Sequence, residues 1–403
     1  MRLTTAFNRL LNLQGALVRH VVFRPTELLV TVAPRRRKRR CPHCGFGTRS
    51  RYDSHTRSWR HIALGKWRVT LRSSIDRIQC PQHGVVCERV AWAEHESRFT
   101  RDFEDLVAWL TREMNKTAVT RLVHIAWETV GTIVSRVVAR TLDSGRLDNL
   151  YVIGIDEVSY RKGQKYLSII MNHAEGRPVW IDEGRSRQTI GKFFTELGPE
   201  RAADLEVVTM DMSGPYIAEV QAQAPQAEIA FDPFHVVKLA NDAVQKVRRE
   251  EARDLKGTAD ADVLKGTRWT LLKAPEALSK EEKTKLARVE SLNRRVYRAY
   301  LLKEELRVLY QCRPQNAPWH LTQWLKWARR SQIPSFIKLA ATLTKHRQGV
   351  LDAIKHGVSN GPLESLNGRI SMLKHRAFGF HSASALIAMI FLCCTHLPIN
   401  LPT

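Results

Sequence analysis

Three carboxylates stand out by their type and surroundings. Asp156 ends the apolar run "YVIGID", Asp211 ends "EVVTMD", and Glu364 lies in "SNGPLESLNGRI". After Glu305 the chain carries 12 Lys and Arg but only two acidic residues, Asp352 and Glu364, so Glu364 is isolated in a basic field. If the strands ending at Asp156 and Asp211 lie side by side in parallel, both carboxylates emerge at one edge of a sheet. Like charges held that close repel, and a divalent cation relieves the repulsion. A third carboxylate, from a helix, would complete sites for two Mg²⁺ ions about 3.5–4 Å apart. That arrangement activates a water or a 3′-hydroxyl and stabilises the leaving oxygen in phosphodiester transfer. Taken singly, each Asp serves equally well as a cap or turn residue, and Glu364 as a solvated surface group; the triple is the informative feature.

The surroundings of Glu364 support a helical placement. Gly361 and Pro362 can open a helix with Glu364 in its first turn, where a carboxylate is favoured. Asn367 and Ser371 follow at three and seven residues along the same face. Arg369, Lys374, His375 and Arg376 then supply cations able to hold a phosphate backbone.

A second constellation is metal-ligating. "CPHCG" sets Cys41 and Cys44 two residues apart, and "CPQHG" repeats the geometry with Cys80 and His83. Two such knuckles can share one tetrahedral zinc ion, with Pro and Gly shaping each turn; Cys87 is an alternative to His83 as the fourth ligand. The competing reading is ordinary buried thiols and imidazoles. The seven cysteines are unevenly placed and no secretion signal precedes them, which predicts a reducing compartment and metal ligation rather than disulfides.

The elements that must position these residues change in character along the chain. Residues 1 to 97 are Arg-rich with short apolar runs such as "ELLVTV" and "WRVTLR", and predict small strands. This segment holds the basic run Arg35, Arg36, Arg37, Lys38, Arg39 and Arg40, a candidate DNA contact whose bland reading is a solvated loop. Residues 98 to 140 repeat apolar positions at three and four and predict three helices. Within them "TAVTRLVHIAWETVGTIVSRVV" fits a helix-turn-helix: small Ala118 on the first helix, apolar Leu122 and Ile125 around the turn, Val130 and Ile133 on the second. Trp127, Glu128, Thr129 and Thr132 would open the helix that enters the major groove. His124 sits where a turn glycine is usual. A plain helical hairpin is the alternative.

From about residue 150 the runs "YVIGID", "YLSIIM", "RPVWID", "EVVTMD" and "AEIAFD" predict five strands of an α/β domain. Residues 234 to about 350 carry no strand pattern and read as a long helical block. The net charge of +24 makes nucleic acid the leading partner. An anionic membrane surface would need an anchor; the N-terminus reads as no signal peptide, and "ALIAMIFLCC" is too short to span a bilayer. That last run predicts a buried helix.

With these motifs assembled, the chain resembles bacterial insertion-sequence transposases with a DDE triad, most closely the ISL-three family. The resemblance rests on "CPHCG", "CPQHG", residues 100 to 140, "VIGIDEVSYRKGQKYLSIIM", "VVTMDMSGPY", "FDPFHVVKLANDAVQKVRRE" and "GPLESLNGRISMLKHRAFGF". It implies an α/β, RNase H-like catalytic domain with a large all-helical insertion, preceded by a zinc-finger module and a helix-turn-helix domain. The corresponding boundaries are 1–97, 98–148 and 149–403, with the insertion at about 240–350. It implies Asp156, Asp211 and Glu364 as catalytic Mg²⁺ ligands, and "DPFH" as an Asp-x-x-His signature placing Asp232 and His235, with Asn367, at the edge of the site. It further implies cleavage at terminal inverted repeats and joining to target DNA, a homo-oligomer of at least two subunits on DNA, and a bacterial cytoplasmic, nucleoid-associated location. A DNA-binding regulator without chemistry and a structure-specific nuclease of the same fold are the rival readings.

Overall fold

A computed structural model of the chain describes residues 2–35, 38–161, 163, 165–258, 260, 262–358 and 361–401. They form two compact units, Met1–Asp143 with Ser384–Thr403, and Ser144–Ala383.

In the first unit, helix α1 (Leu3–Leu11) precedes β1 (Ala16–Phe23), β2 (Glu27–Pro34), β3 (Arg39–Arg40), β4 (Gly47–Thr48), β5 (Asp53–Arg60), β6 (Arg68–Cys80) and β7 (Gly84–Cys87). The larger sheet has the order β1-β2-β6-β5, with β7 pairing the end of β6; β2 and β6 are parallel and the other pairs antiparallel. Alternation along β6 buries Val69, Leu71 and Ile75 on one face, against Trp59 and Trp92, whose rings meet edge-on at 5.6 Å. Helices α2 (Arg101–Glu113), α3 (Lys116–Val123) and α4 (Trp127–Thr141) follow. The Thr100 side chain caps α2 and that of Asn115 caps α3, each accepting from a backbone N–H of the first turn.

The second unit is built on a sheet of β8 (Val152–Arg161), β9 (Lys165–Asn172), β10 (Arg177–Glu183), β11 (Val207–Met210) and β12 (Glu228–Phe231), at the five runs predicted. Its order is β10-β9-β8-β11-β12: β8, β9 and β10 form an antiparallel meander, and β11 and β12 run parallel to β8. Helices α5 (Arg187–Leu197), α6 (Pro199–Ala203) and α7 (Gly214–Gln223) make the crossovers. Their Phe193, Phe194, Tyr216 and Val220 join Ile153, Ile155 and Val208 of the sheet in one core.

After β12 the chain is helical: α8 (Pro233–Asp254), α9 (Arg268–Leu272), α10 (Lys280–Leu292), α11 (Arg294–Leu309), α12 (Ala317–Arg330), α13 (Pro334–Lys345) and α14 (Arg347–His356). Then come α15 (Gly361–Arg376) and α16 (Ala383–Cys394). Two glycines let helices seat on the sheet. A Cβ at Gly154 of β8 would stand 2.5 Å from Leu363 Cδ1 of α15, and one at Gly349 of α14 would stand 2.4 Å from the Phe231 ring. Among the described residues no single helix is long and apolar enough to cross a membrane.

Candidate active site and DNA-binding elements

Register places the sheet acids. Val207, Val208 and Thr209 of β11 pair with Val152, Ile153 and Gly154 of β8, so continuing the ladder sets Asp211 level with Asp156. In the same way Met210 pairs with Phe231 of β12, which sets Asp232 level with Asp211. The expectation that Asp156 ends its strand needs correction: β8 continues to Arg161, paired with β9 alone. Asp156 stands where the parallel pairing stops, because β11 ends at Met210 and the chain turns into α7.

Asp156 is held from two sides. The backbone N–H of Glu157 donates to its Oδ1 at 2.7 Å, and Asn367 Nδ2 of α15 donates to its Oδ2 at 2.6 Å. Asp211 accepts from the Ser213 N–H at 3.0 Å. Burial pushes the Asp211 carboxyl above its ordinary value; the His235 imidazole and the Ser213 N–H pull it back, and the charge of Asp156 pushes it up again. The Asp156 charge raises Asp211 because like charges close together resist joint ionisation, and a cation between them removes that cost. Asp232 caps α8 by accepting from the Phe234 N–H, and His235 Nε2 lies 3.6 Å from Asp232 Oδ2.

Helix α15 lies along β8. Leu363 packs on Gly154, Asn367 bonds Asp156, and Lys374 Nζ donates to the Ser159 carbonyl at 2.5 Å. Glu364 is in the first turn of this helix and exposed, one turn before Asn367. Among the described residues the carboxylate oxygens of Asp156, Asp211 and Glu364 do not all come within 4.8 Å of one another. Arg369 Nη2 reaches the Gly176 carbonyl at 3.4 Å, so Arg369 and Lys374 each spend a donor bracing α15 on the sheet. Arg376 falls in the last turn of α15.

Sequence reasoning passed over Glu157 and Tyr216. Glu157 is half-buried; burial raises its pKa, a hydrogen bond from Tyr216 opposes this, and Asp211 and Asp156 add to the rise. Tyr216 also shares a hydrogen bond of 2.7 Å with Ser168. The signal was the acidic neighbour in "GIDEVS", which the strict two-residue alternation of a strand assigns to the opposite face from Asp156.

In the first unit, Cys41, Cys44, Cys80 and His83 present ligand atoms that all lie within 4.8 Å of one another. The Cys41 and Cys80 sulfurs lie 3.8 and 3.6 Å from His83 Nδ1, and Cys44 Sγ lies 3.6 Å from Cys80 Sγ. A tetrahedral zinc ion bound at about 2.3 Å by sulfur and 2.0–2.1 Å by nitrogen separates its ligand atoms by roughly 3.5–3.8 Å, so the cradle fits. The knuckles are the turns of the β3–β4 and β6–β7 hairpins, with Gly45 and Gly84 at positive φ. Burial resists ionisation of the Cys41 thiol, but backbone N–H groups of Cys44 and His43 bring its pKa below the ordinary value. Cys87 lies instead beside His55, 3.9 Å from its Nε2.

Of the basic run, Arg39 is bound to buried Asp76 at 2.6 Å and so braces the fold, while Arg35, Lys38 and Arg40 are exposed. Arg36 and Arg37 lie outside the described residues. Between α3 and α4 the chain turns by 102°, the angle of a helix-turn-helix. His124 adopts the left-handed conformation expected of a turn glycine, φ 51°, and its carbonyl accepts from Arg60 Nη1 at 3.0 Å. Leu122 does not lock the turn: it is 59% exposed, and Val119 and Val123 pack inward with Val130, Ile133 and Val134. The reason is phase, since Val119 and Val123 are four apart and take the inner stripe. Trp127, Glu128 and Thr132 are exposed and Thr129 half-buried; Lys116 Nζ sits 3.3 Å over the Trp127 ring.

Paired sheet acids beside a helix carrying a third, with a helix-turn-helix in the same chain, are the arrangement expected of a DDE transposase. The family model for transposases of the ISL3 DDE type matches residues 153–390. The model described as the helix-turn-helix domain of transposase family ISL3 matches residues 88–138. The transposase for insertion sequence element IS1557 of Mycobacterium tuberculosis (strain ATCC 25618 / H37Rv) is 40% identical over 380 residues, covering 88% of this chain and 85% of its own. The transposase for element IS1001 of Bordetella parapertussis is 29% identical over 344 residues, covering 84% and 85%. The chain belongs to the ISL3 family of transposases and is a DNA-binding enzyme of DNA cleavage and strand transfer.

Proposed function

We propose that residues 149–403 form an RNase H-like catalytic domain interrupted by a helical insertion at about 240–350, with Asp156, Asp211 and Glu364 as its acidic triad. The register of the parallel pair β8 and β11, which continued past Met210 sets Asp211 level with Asp156, is the observation that carries this reading. Asp156 and Asp211 would hold two Mg²⁺ ions, and Glu364 would complete the set on substrate binding, since three carboxylates repel one another until a cation lies between them. When bound, such ions supply the Lewis acidity that activates a water or 3′-hydroxyl and stabilises the leaving oxygen. Asn367 and the Glu157 N–H fix the Asp156 rotamer beforehand, and His235 offers Asp211 a compensating charge.

Residues 1–97 act as a zinc module holding one structural Zn²⁺ through Cys41, Cys44, Cys80 and His83. Residues 98–148 place Trp127, Glu128, Thr129 and Thr132 at the major groove of the terminal inverted repeats, with Arg35, Lys38, Arg40 and Arg376 on phosphates. The DNA-bound form is at least a dimer, because two ends must be brought together, and the enzyme works at the bacterial nucleoid in the cytoplasm. Elemental analysis tests the metal: one zinc per chain is expected, lost in Cys41→Ser with weakened DNA binding, and an unchanged zinc content in that variant rules the cradle out. Mg²⁺-dependent nicking of DNA carrying the element's ends tests the triad: Asp156→Asn, Asp211→Asn and Glu364→Gln should each abolish cleavage and keep binding.

A further inference from the structure

The stretch from Leu306 to Leu351 holds eight Lys and Arg and no carboxylate, and the residues assigned above to DNA use none of it. Helix α12 lies inside that stretch. Ala317, Leu321, Trp324, Leu325 and Ala328 bury one face, and Trp324 Nε1 donates to the Leu302 carbonyl at 2.8 Å. The opposite face repeats at helical spacing as Trp319, Gln323, Lys326, Trp327 and Arg330, all exposed. Trp319 is 66% and Trp327 37% exposed. Other exposed indoles in the chain are covered by a cation, Trp127 by Lys116 and Trp269 by Arg268. Among the described residues no ring or cation is stacked on Trp319 or Trp327.

Two bare indoles flanked by two cations, with no acid on the helix, are complementary to an anionic chain that carries flat apolar faces. Stacking platforms lined by cations are the means of binding unpaired nucleic-acid strands. We infer that the exposed face of α12 is a binding surface for unpaired DNA, on which Trp319 and Trp327 stack bases while Lys326 and Arg330 hold phosphates. The inference rests on the transposase reading only in making DNA the available polyanion; the surface itself is separate from the sheet acids.

The test is fluorescence anisotropy with a labelled single-stranded oligonucleotide and, in parallel, the inverted-repeat duplex, using the full chain. Trp319→Ala and Trp327→Ala should each weaken single-strand binding about ten-fold, leave duplex binding within about two-fold, and be rescued by Trp→Phe at the same position. Lys326→Ala should weaken single-strand binding and flatten its salt dependence. Unchanged single-strand affinity in the Trp319→Ala/Trp327→Ala double variant overturns the inference, as does a double variant whose only change is loss of self-association in sedimentation, which would assign the face to a second copy of the chain. Neither result touches cleavage, which the triad variants report independently.

Discussion

At the scale of single residues, the proposed site is a set of carboxylates whose mutual repulsion a few donors offset. Asn367 is the sharpest case: its Nδ2 fixes Asp156 Oδ2, and it stands one turn beyond Glu364 on α15. Asn367→Ala should leave duplex binding intact, slow cleavage on the order of ten-fold through lost orientation, and raise the Mg²⁺ concentration needed for half-maximal cleavage; an unchanged Mg²⁺ titration would mean that Asn367 is mere packing. The level placement of Asp156 and Asp211 was legible in the sequence because both end apolar runs, and Glu364 stood out as a proposed third acid because it lies alone in a basic field. Glu157 was not, because a neighbour in a strand is assigned to the opposite face, yet the charges of Asp211 and Asp156 both act on it.

At the scale of elements, the helix-turn-helix shows what local rules read well and what they miss. Its three helices followed from the spacing of apolar residues, but the choice of which apolar residues face inward did not, and Leu122 turned out exposed where Val119 and Val123 pack. His124 holds a left-handed conformation that an L side chain pays for. His124→Gly should therefore raise stability by up to about 1 kcal/mol in thermal or urea unfolding, and keep the Arg60 bond because that bond is to the backbone carbonyl.

Helices α2 and α4 are joined by acids and arginines: Arg136 pairs with buried Glu104 at 2.7 Å, and Arg140 with Asp105 and, at 3.5 Å, with Glu104. Burial pushes the Asp105 carboxyl up to about 6, with Arg140 pulling it down and Asp102 and Glu104 adding to the rise. A carboxyl raised in the folded state favours folding when protonated. Its contribution is full below the unfolded value of about 3.9 and is lost as pH rises through the folded value. Asp105→Asn should then stabilise the first unit more at pH 7 than at pH 4, as unfolding curves at the two pH values would show. A stabilisation equal at both would mean that the effect is packing and not ionisation.

At the scale of the whole molecule, a chain of net charge +24 is divided between one compact unit carrying the metal cradle and the helix-turn-helix, and another carrying the sheet acids and a long run of helices. The succession of strand-rich, helical, α/β and helical segments was legible from changes in periodicity. The sheet order β10-β9-β8-β11-β12 was not, since pairing between strands some 50 residues apart leaves no local trace; only the parallel neighbours β8 and β11 were demanded by the two carboxylates. Asp156, Asp211 and Glu364 are proposed to act as one centre for cutting and joining DNA. This role is tested most directly by incubating the protein and its Glu364→Gln variant with a labelled inverted-repeat end and a target plasmid in Mg²⁺, and resolving nicked and joined products. Both products are expected with the unaltered chain and, with Glu364→Gln, equal DNA binding with neither product; joining by the variant at the unaltered rate would remove Glu364 from the centre.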